Sequence, residues 1–227
     1  VPWAWAFDTP FKWVKQIASH FGGTRQGMAI SWPGHIDDVG GIRHQFHHVI
    51  DIVPTILEAS GIKAPDMVDG IKQKPIEGTS FAYTFDAANA KVATRHKTQY
   101  FEMMGHRAIW SEGWKAVTFH DQGTPYDADT WALFNLDDDF SEMHDLSSRE
   151  PERLAAMVEL WWDQARRYGV LPLDDRGIEI FGSKSRPGSP HYGSTYTYYP
   201  PVAHIPSDAC PMLSGRAWTI TADVDVP

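Results

Sequence analysis

Lys12, Lys15, His20 and the pair Gly22-Gly23 crowd into one short stretch near the start of the chain. A lysine ammonium has a free pKa of about 10.4 and is charged at neutral pH. Such a cation can hold an oxyanion and stabilise charge that shifts during bond cleavage. Glycines just after it permit the close, sharp turn that an active-site loop needs. By residue type alone, a solvated lysine on a turn is the prevailing reading of Lys15, and Lys12 is taken as the more solvent-facing of the two. His20 reads as a second polar contact at a site mouth or as a hydrogen-bonded loop histidine.

Other clusters carry less chemistry. His44, His47 and His48 place two imidazoles four residues apart, but no carboxylate completes a His-Glu-x-x-His arrangement, so they read as the polar start of a helix. Asp137, Asp138, Asp139, Glu142 and Asp145 lack the glycine and closing glutamate of a calcium loop. They read as a turn whose acids favour the N-terminal side of the following helix. Trp161 and Trp162 sit at core spacing and Trp114 and Trp131 in strands, whereas Trp3, Trp5 and Trp13 lie near Lys15 and are candidates for lining a pocket.

The balance of charge is −9, with no basic stripe, which sets nucleic-acid binding aside. An acidic chain does not attract anions by its overall field, so an anion site must rest on a few local cations. The single cysteine, Cys210, excludes an internal disulfide framework and leaves the compartment open between cytoplasm and periplasm. No apolar run reaches the length of a membrane span. Both ends read as cuts: there is no initiator Met, and the chain stops within an alternating pattern at Thr219–Pro227.

The elements that must position these residues are legible in outline. Met28 to Trp32 is a short apolar run ended by Pro33, expected as a buried strand of a mostly parallel sheet. Val49, Ile52, Val53, Ile56 and Leu57 recur at helical spacing, with Asp51 as the expected cap and Gly61 as the stop. Glu77–Ser80 reads as the entry to a short helix near Phe81. Between residues 97 and 136 the period changes. Four short strands, Gln99–Met103, His106–Trp110, Trp114–Phe119 and Trp131–Phe134, are separated by glycine-bearing turns and predict an antiparallel meander. A long helix near Pro151–Tyr168 follows, capped by Ser147 or Ser148, stopped by Gly169, and covering one side of that sheet. Residues 173–227, rich in Pro, Gly, Ser and Tyr, are expected to be extended, ending in a truncated strand. The expected architecture is α/β: a partial sheet (1–96), a small α+β subdomain of a four-stranded antiparallel sheet with one long helix (97–172), and a tail (173–227).

Several segments, taken in order, resemble the sulfatase family, in particular its bacterial arylsulfatase branch. They are Thr9-Pro-Phe-Lys-Trp-Val-Lys15, Gly22-Gly-Thr-Arg25, Ile30-Ser-Trp-Pro33, His48–Gly61 with its Asp-Ile-Val-Pro-Thr centre, and Glu77-Gly-Thr-Ser80. Tyr100-Phe-Glu-Met, His106-Arg-Ala-Ile, Gly113-Trp-Lys, Trp131–Leu136, Asp139–Leu146 and Tyr168–Asp175 continue the match, so that it covers most of residues 3–175. The tail from Tyr196 is similar with less specificity.

The resemblance implies that residues 1–96 are the C-terminal part of an alkaline-phosphatase-like catalytic domain. It implies a hydrolase of sulfuric esters that uses a formylglycine nucleophile and Ca2+, both held by motifs upstream of this chain, and a small-molecule sulfate ester as substrate. It places Lys15 as the sulfate-binding, catalytic lysine, with His20 as a substrate contact. Cys210 is followed by Pro211-Met-Leu and departs from the nucleophile motif. The isolated chain, parted from the N-terminal portion of the protein, is expected to be inactive. Two other readings remain: a phosphonate or phosphate-diester hydrolase of the same superfamily, and a non-catalytic carbohydrate-binding or structural module.

Overall fold

Side chains that alternate across a strand give a sheet two different faces, and the centre of this molecule is built on that difference. The computed structural model describes residues 2–177, 195–199, 204–205, 213, 215 and 217–224. The chain divides into two compact units, Val1–Asp175 and Arg176–Pro227. In the first, α1 (Pro2–Asp8) and the single turn α2 (Phe21–Thr24) precede α3 (Ile52–Ser60) and a two-stranded ribbon, β1 (Met67–Val68) with β2 (Ile71–Lys72). Then come β3 (Thr98–Met103), β4 (His106–Ser111), β5 (Trp114–Thr118), β6 (Trp131–Asn135) and the long α4 (Pro151–Arg167).

Strands β3 to β6 form an antiparallel meander in sequence order, as the turn glycines predict. Gly105 and Gly113 adopt the left-handed conformation (φ 86° and 88°) that the tight β3–β4 and β4–β5 turns require. On one face Ile109, Ala116 and Leu133 pack against Met157, Trp161 and Ala165 of α4. Trp161 is fully buried, and its indole N–H donates to the Phe101 carbonyl at 3.1 Å. The opposite face carries Ala108, Val117 and Phe134. There the N-terminal segments lie on the sheet: Phe46 stacks on Trp110 at 3.8 Å, and the Lys12 ammonium sits 5.3 Å from the centre of the Phe134 ring.

Helix α3 forms where its periodicity predicts and ends on Gly61 at φ 66°. Asp51, however, does not cap it as expected. Its fully buried carboxylate accepts from the His48 amide (2.8 Å), the Thr79 amide (2.7 Å) and His96 Nδ1 (2.9 Å). Thr55, one turn on, accepts from the Phe81 amide at 3.0 Å. The helix is thereby tied to the 3₁₀ turn at Ala82–Phe85 and to the segment that enters β3.

Three local expectations give way to the structure. Met28–Ser31 is exposed, Trp32 half-buried, and the segment irregular rather than a strand, because its backbone meets no neighbouring strand among the described residues. Helix α4 starts with Pro151 in its first turn after Glu150, without a side-chain cap, while the Ser147 hydroxyl donates to Asp145 at 3.0 Å. Gly169 ends the helix region at φ 70°, as expected. In the second unit, Tyr196–Tyr199 and Thr219–Val224 are irregular, so the expected final strand does not form over its described part; residues 225–227 and Cys210 lie outside the described residues.

Candidate functional site

The segment carrying Lys15 is a closed loop. Its ends meet where the Gly22 amide donates to the Lys12 carbonyl at 3.0 Å, and inner turns are made by Ile17 to Val14 and Gly23 to His20. A Cβ on Gly22 would fall 2.0 Å from the Trp13 carbonyl oxygen, and one on Gly23 would fall 2.0 Å from the Ile17 carbonyl oxygen. The double glycine is therefore needed for close backbone approach, which no other residue allows here. Inside the loop Trp13 (φ 66°) and Gln16 (φ 87°) hold left-handed backbone conformations rare for such residues. Backbone strain of this kind collects at functional sites, where surrounding structure enforces it.

Aromatic stacking enforces it here. Trp13 lies against Phe119 just beyond β5 at 4.8 Å, and against Trp5 of α1 at 6.3 Å, with rings nearly parallel in both pairs. Trp3, Trp5 and Trp13 are all exposed to solvent on one side, at 79%, 50% and 37%. The pair Trp5–Trp13 thus forms an open stacked shelf beside the lysine loop, the kind of surface that a flat aromatic group can lie on.

Lys15 is exposed, and its ammonium has no hydrogen bond or ion pair among the described residues. Lys12 is the more buried of the two lysines, the reverse of the expected ranking, because its stem crosses the sheet to Phe134. His20 is buried beside them, with its Nδ1 at 2.9 Å from the Ser19 hydroxyl. Burial, reinforced by the charges of Lys115 and Lys12, lowers its pKa to about 3, so the imidazole is neutral at physiological pH. The structure thus brings Lys15 and His20 onto one loop but turns them to different environments.

What holds the loop to the sheet was not legible in the sequence. Lys115 of β5 and Glu142 are both fully buried and paired at 2.5 Å. The second carboxylate oxygen of Glu142 accepts the Phe21 amide at 2.9 Å, and the Lys115 ammonium lies 3.9 Å from the centre of the Phe21 ring. Burial lowers the Lys115 pKa, and the Glu142 charge and hydrogen bond oppose that shift. Glu142 itself sits at φ 60°, in the acidic run that reads as a plain turn. The one signal available was a lysine inside the otherwise apolar strand Trp114–Phe119, which must find a partner once its neighbours are buried.

The remaining polar clusters are structural in layout. His120 Nδ1 meets the Asp129 carboxylate at 2.9 Å, and Asp129 also pairs with the buried Arg107. The His120 amide donates to His106 Nδ1 at 3.1 Å, and the His106 ring packs on Phe119 beneath the Trp13 stack. In the acidic run Asp139 accepts from the His144 amide and Asp145 from the Leu133 amide. Among the described residues no group of three or more His, Cys, Asp or Glu side chains is arranged to hold a metal ion. The described residues of this chain therefore do not by themselves fit a calcium site. No described helix is long and apolar enough to cross a membrane.

Comparison with known proteins gives the loop its context. Residues 12–164 match the family described as N-sulphoglucosamine sulphohydrolase, C-terminal. An uncharacterized sulfatase of Schizosaccharomyces pombe is 29% identical over 178 residues, which are 76% of this chain and 30% of that protein. Among solved structures, Ps i-CgsB superimposes with a TM-score of 0.55 at 23% identity, over 78% of this chain and 36% of its own. BT33336S-sulf of Bacteroides thetaiotaomicron superimposes with a TM-score of 0.50 at 15% identity, over 65% of this chain and 30% of its own. At these identities the structural likeness speaks for the fold. The chain spans about a third of the length of these relatives.

Proposed function

The chain belongs to the sulfatases, through the N-sulphoglucosamine sulphohydrolase C-terminal family, and on that premise we propose that the full-length protein hydrolyses sulfuric esters of aryl alcohols with Lys15 as a sulfate contact. Residues 1–96 in this reading complete the catalytic α/β domain, and residues 97–172 buttress them. The nucleophile, a formylglycine, and the Ca2+ ion are contributed by the part of the protein outside this chain.

The observation that carries the reading is the contrast within residues 12–23. Lys12, Trp13 and Phe21 are engaged with residues of the sheet and its edge, while the Lys15 ammonium is held clear of partners at its exposed turn. A cation so placed can take a sulfuryl oxygen without first breaking a contact, and the backbone that carries it is fixed where Gly22 donates to Lys12 and Phe21 to Glu142. His20, on the same loop, is a neutral imidazole, and in this reading it offers the substrate a polar contact without competing for the negative charge. The Trp5–Trp13 shelf suits the aryl group of the ester.

The experiment is an assay of the purified full-length protein with a chromogenic aryl sulfate and with the matching phosphate diester. Sulfate turnover that needs calcium and disappears on chelation is expected, with none from residues 1–227 alone. Preference for the phosphate diester would move the protein to another branch of the superfamily. Turnover by the isolated chain would place the nucleophile within it and contradict the reading.

A further inference from the structure

We infer that Glu142 is a positioning residue for the Lys15 loop, holding it through the Phe21 amide, with the buried Lys115 as the charge that keeps Glu142 in place. This rests on the reading of Lys15 as the sulfate contact.

The link is short and directional. Glu142 Oε2 accepts the Phe21 amide at 2.9 Å, and the next amide, that of Gly22, closes the loop on Lys12. One carboxylate therefore sets the point at which the loop returns to the sheet, on a single turn of helix. The other oxygen is taken by Lys115 from β5, at 2.5 Å. Lys115 is neighboured across the sheet by Trp110 and Phe134, at the centre of the meander. Both charged groups are fully buried, so neither has solvent as an alternative partner. Glu142 also adopts a left-handed backbone, a conformation that a merely space-filling residue would not need. A catalytic cation displaced by about 1 Å through such a distant link loses on the order of a hundredfold in rate.

The test compares two double variants of the full-length protein. Both remove the buried charges, since a lone charge left in this site would be strongly destabilising. Lys115→Met with Glu142→Gln keeps an amide oxygen to accept from Phe21. Lys115→Met with Glu142→Leu removes the acceptor at similar volume. On a chromogenic aryl sulfate, measured well below the melting temperature, the leucine pair is expected to lower kcat/KM about 10- to 100-fold and to speed hydrogen exchange at the Phe21 and Gly22 amides. The glutamine pair should recover most of both. In a Lys15→Ala background the two pairs should then have the same kcat/KM, because the effect of the link on rate acts through Lys15. Equal kcat/KM for the two pairs with Lys15 present would overturn the inference while leaving the sulfate contact standing. A difference in kcat/KM that persists unchanged without Lys15 would also overturn it. No loss on Lys15→Ala alone would remove the sulfate contact itself, and the inference with it.

Discussion

Asp51 and His20 are both buried, and burial acts on each in its own way. Asp51 is fully buried, which by itself raises a carboxyl pKa, but the hydrogen bonds from His96, His48 and Thr79 outweigh burial and hold it below the usual range. Its contribution is therefore complete above about pH 3.9 and is lost as the pH falls through its lower folded value. His20 acts in the same direction at milder pH. Between about pH 6.5 and its folded value of about 3 the unfolded chain takes up a proton that the folded chain refuses. Replacing Asp51 by Asn weakens the acceptor that His48, Thr79 and His96 share and should cost about 1.5–3 kcal/mol near neutral pH, read from urea or thermal unfolding. A cost under about 1 kcal/mol would show that the carboxylate is not the hub described. The sequence pointed to Asp51 at the start of a helix and to Lys15 and His20 on a glycine-flanked loop. It could not show that Asp51 reaches His96, or that Glu142 leaves its acidic run for Lys115. Those pairings join residues distant in the chain, and local spacing carries no record of them.

At the scale of elements, periodicity carried most of what was read. The alternation in residues 97–136 and the turn glycines gave all four strands of the meander in order, and the apolar stripe from Leu154 to Tyr168 gave the covering helix. That helix is pinned by one residue above others. Trp161 fills the space over Ile109 and Ala116 and also donates to the Phe101 carbonyl. Trp161→Ala should cost about 3–5 kcal/mol, seen as a fall in the midpoint of thermal unfolding, and a shift within error would mean that α4 is not the lid of this core. The failures at this scale have a physical pattern. Met28–Trp32 has the composition of a strand but no paired neighbour among the described residues, and composition cannot supply one. The serines before α4 have the right type for a cap, yet the Ser147 hydroxyl donates to Asp145 and the cap position falls to Glu150.

The first unit presents apolar surface on two of its helices. Val49, Val53 and Ile56 on and beside α3, and Trp3 and Phe7 of α1, are largely exposed. The relatives it matches are about three times its length. In the proposed reading the sheet and its covering helix support a tightly closed loop on the far face, and that loop carries Lys15. The measurement that tests this account most directly is kcat/KM of the full-length protein for a chromogenic aryl sulfate before and after Lys15→Ala, with the melting temperature taken alongside. A fall of about 10²- to 10³-fold with an unchanged melting temperature is the predicted result. Unaltered kinetics would contradict it.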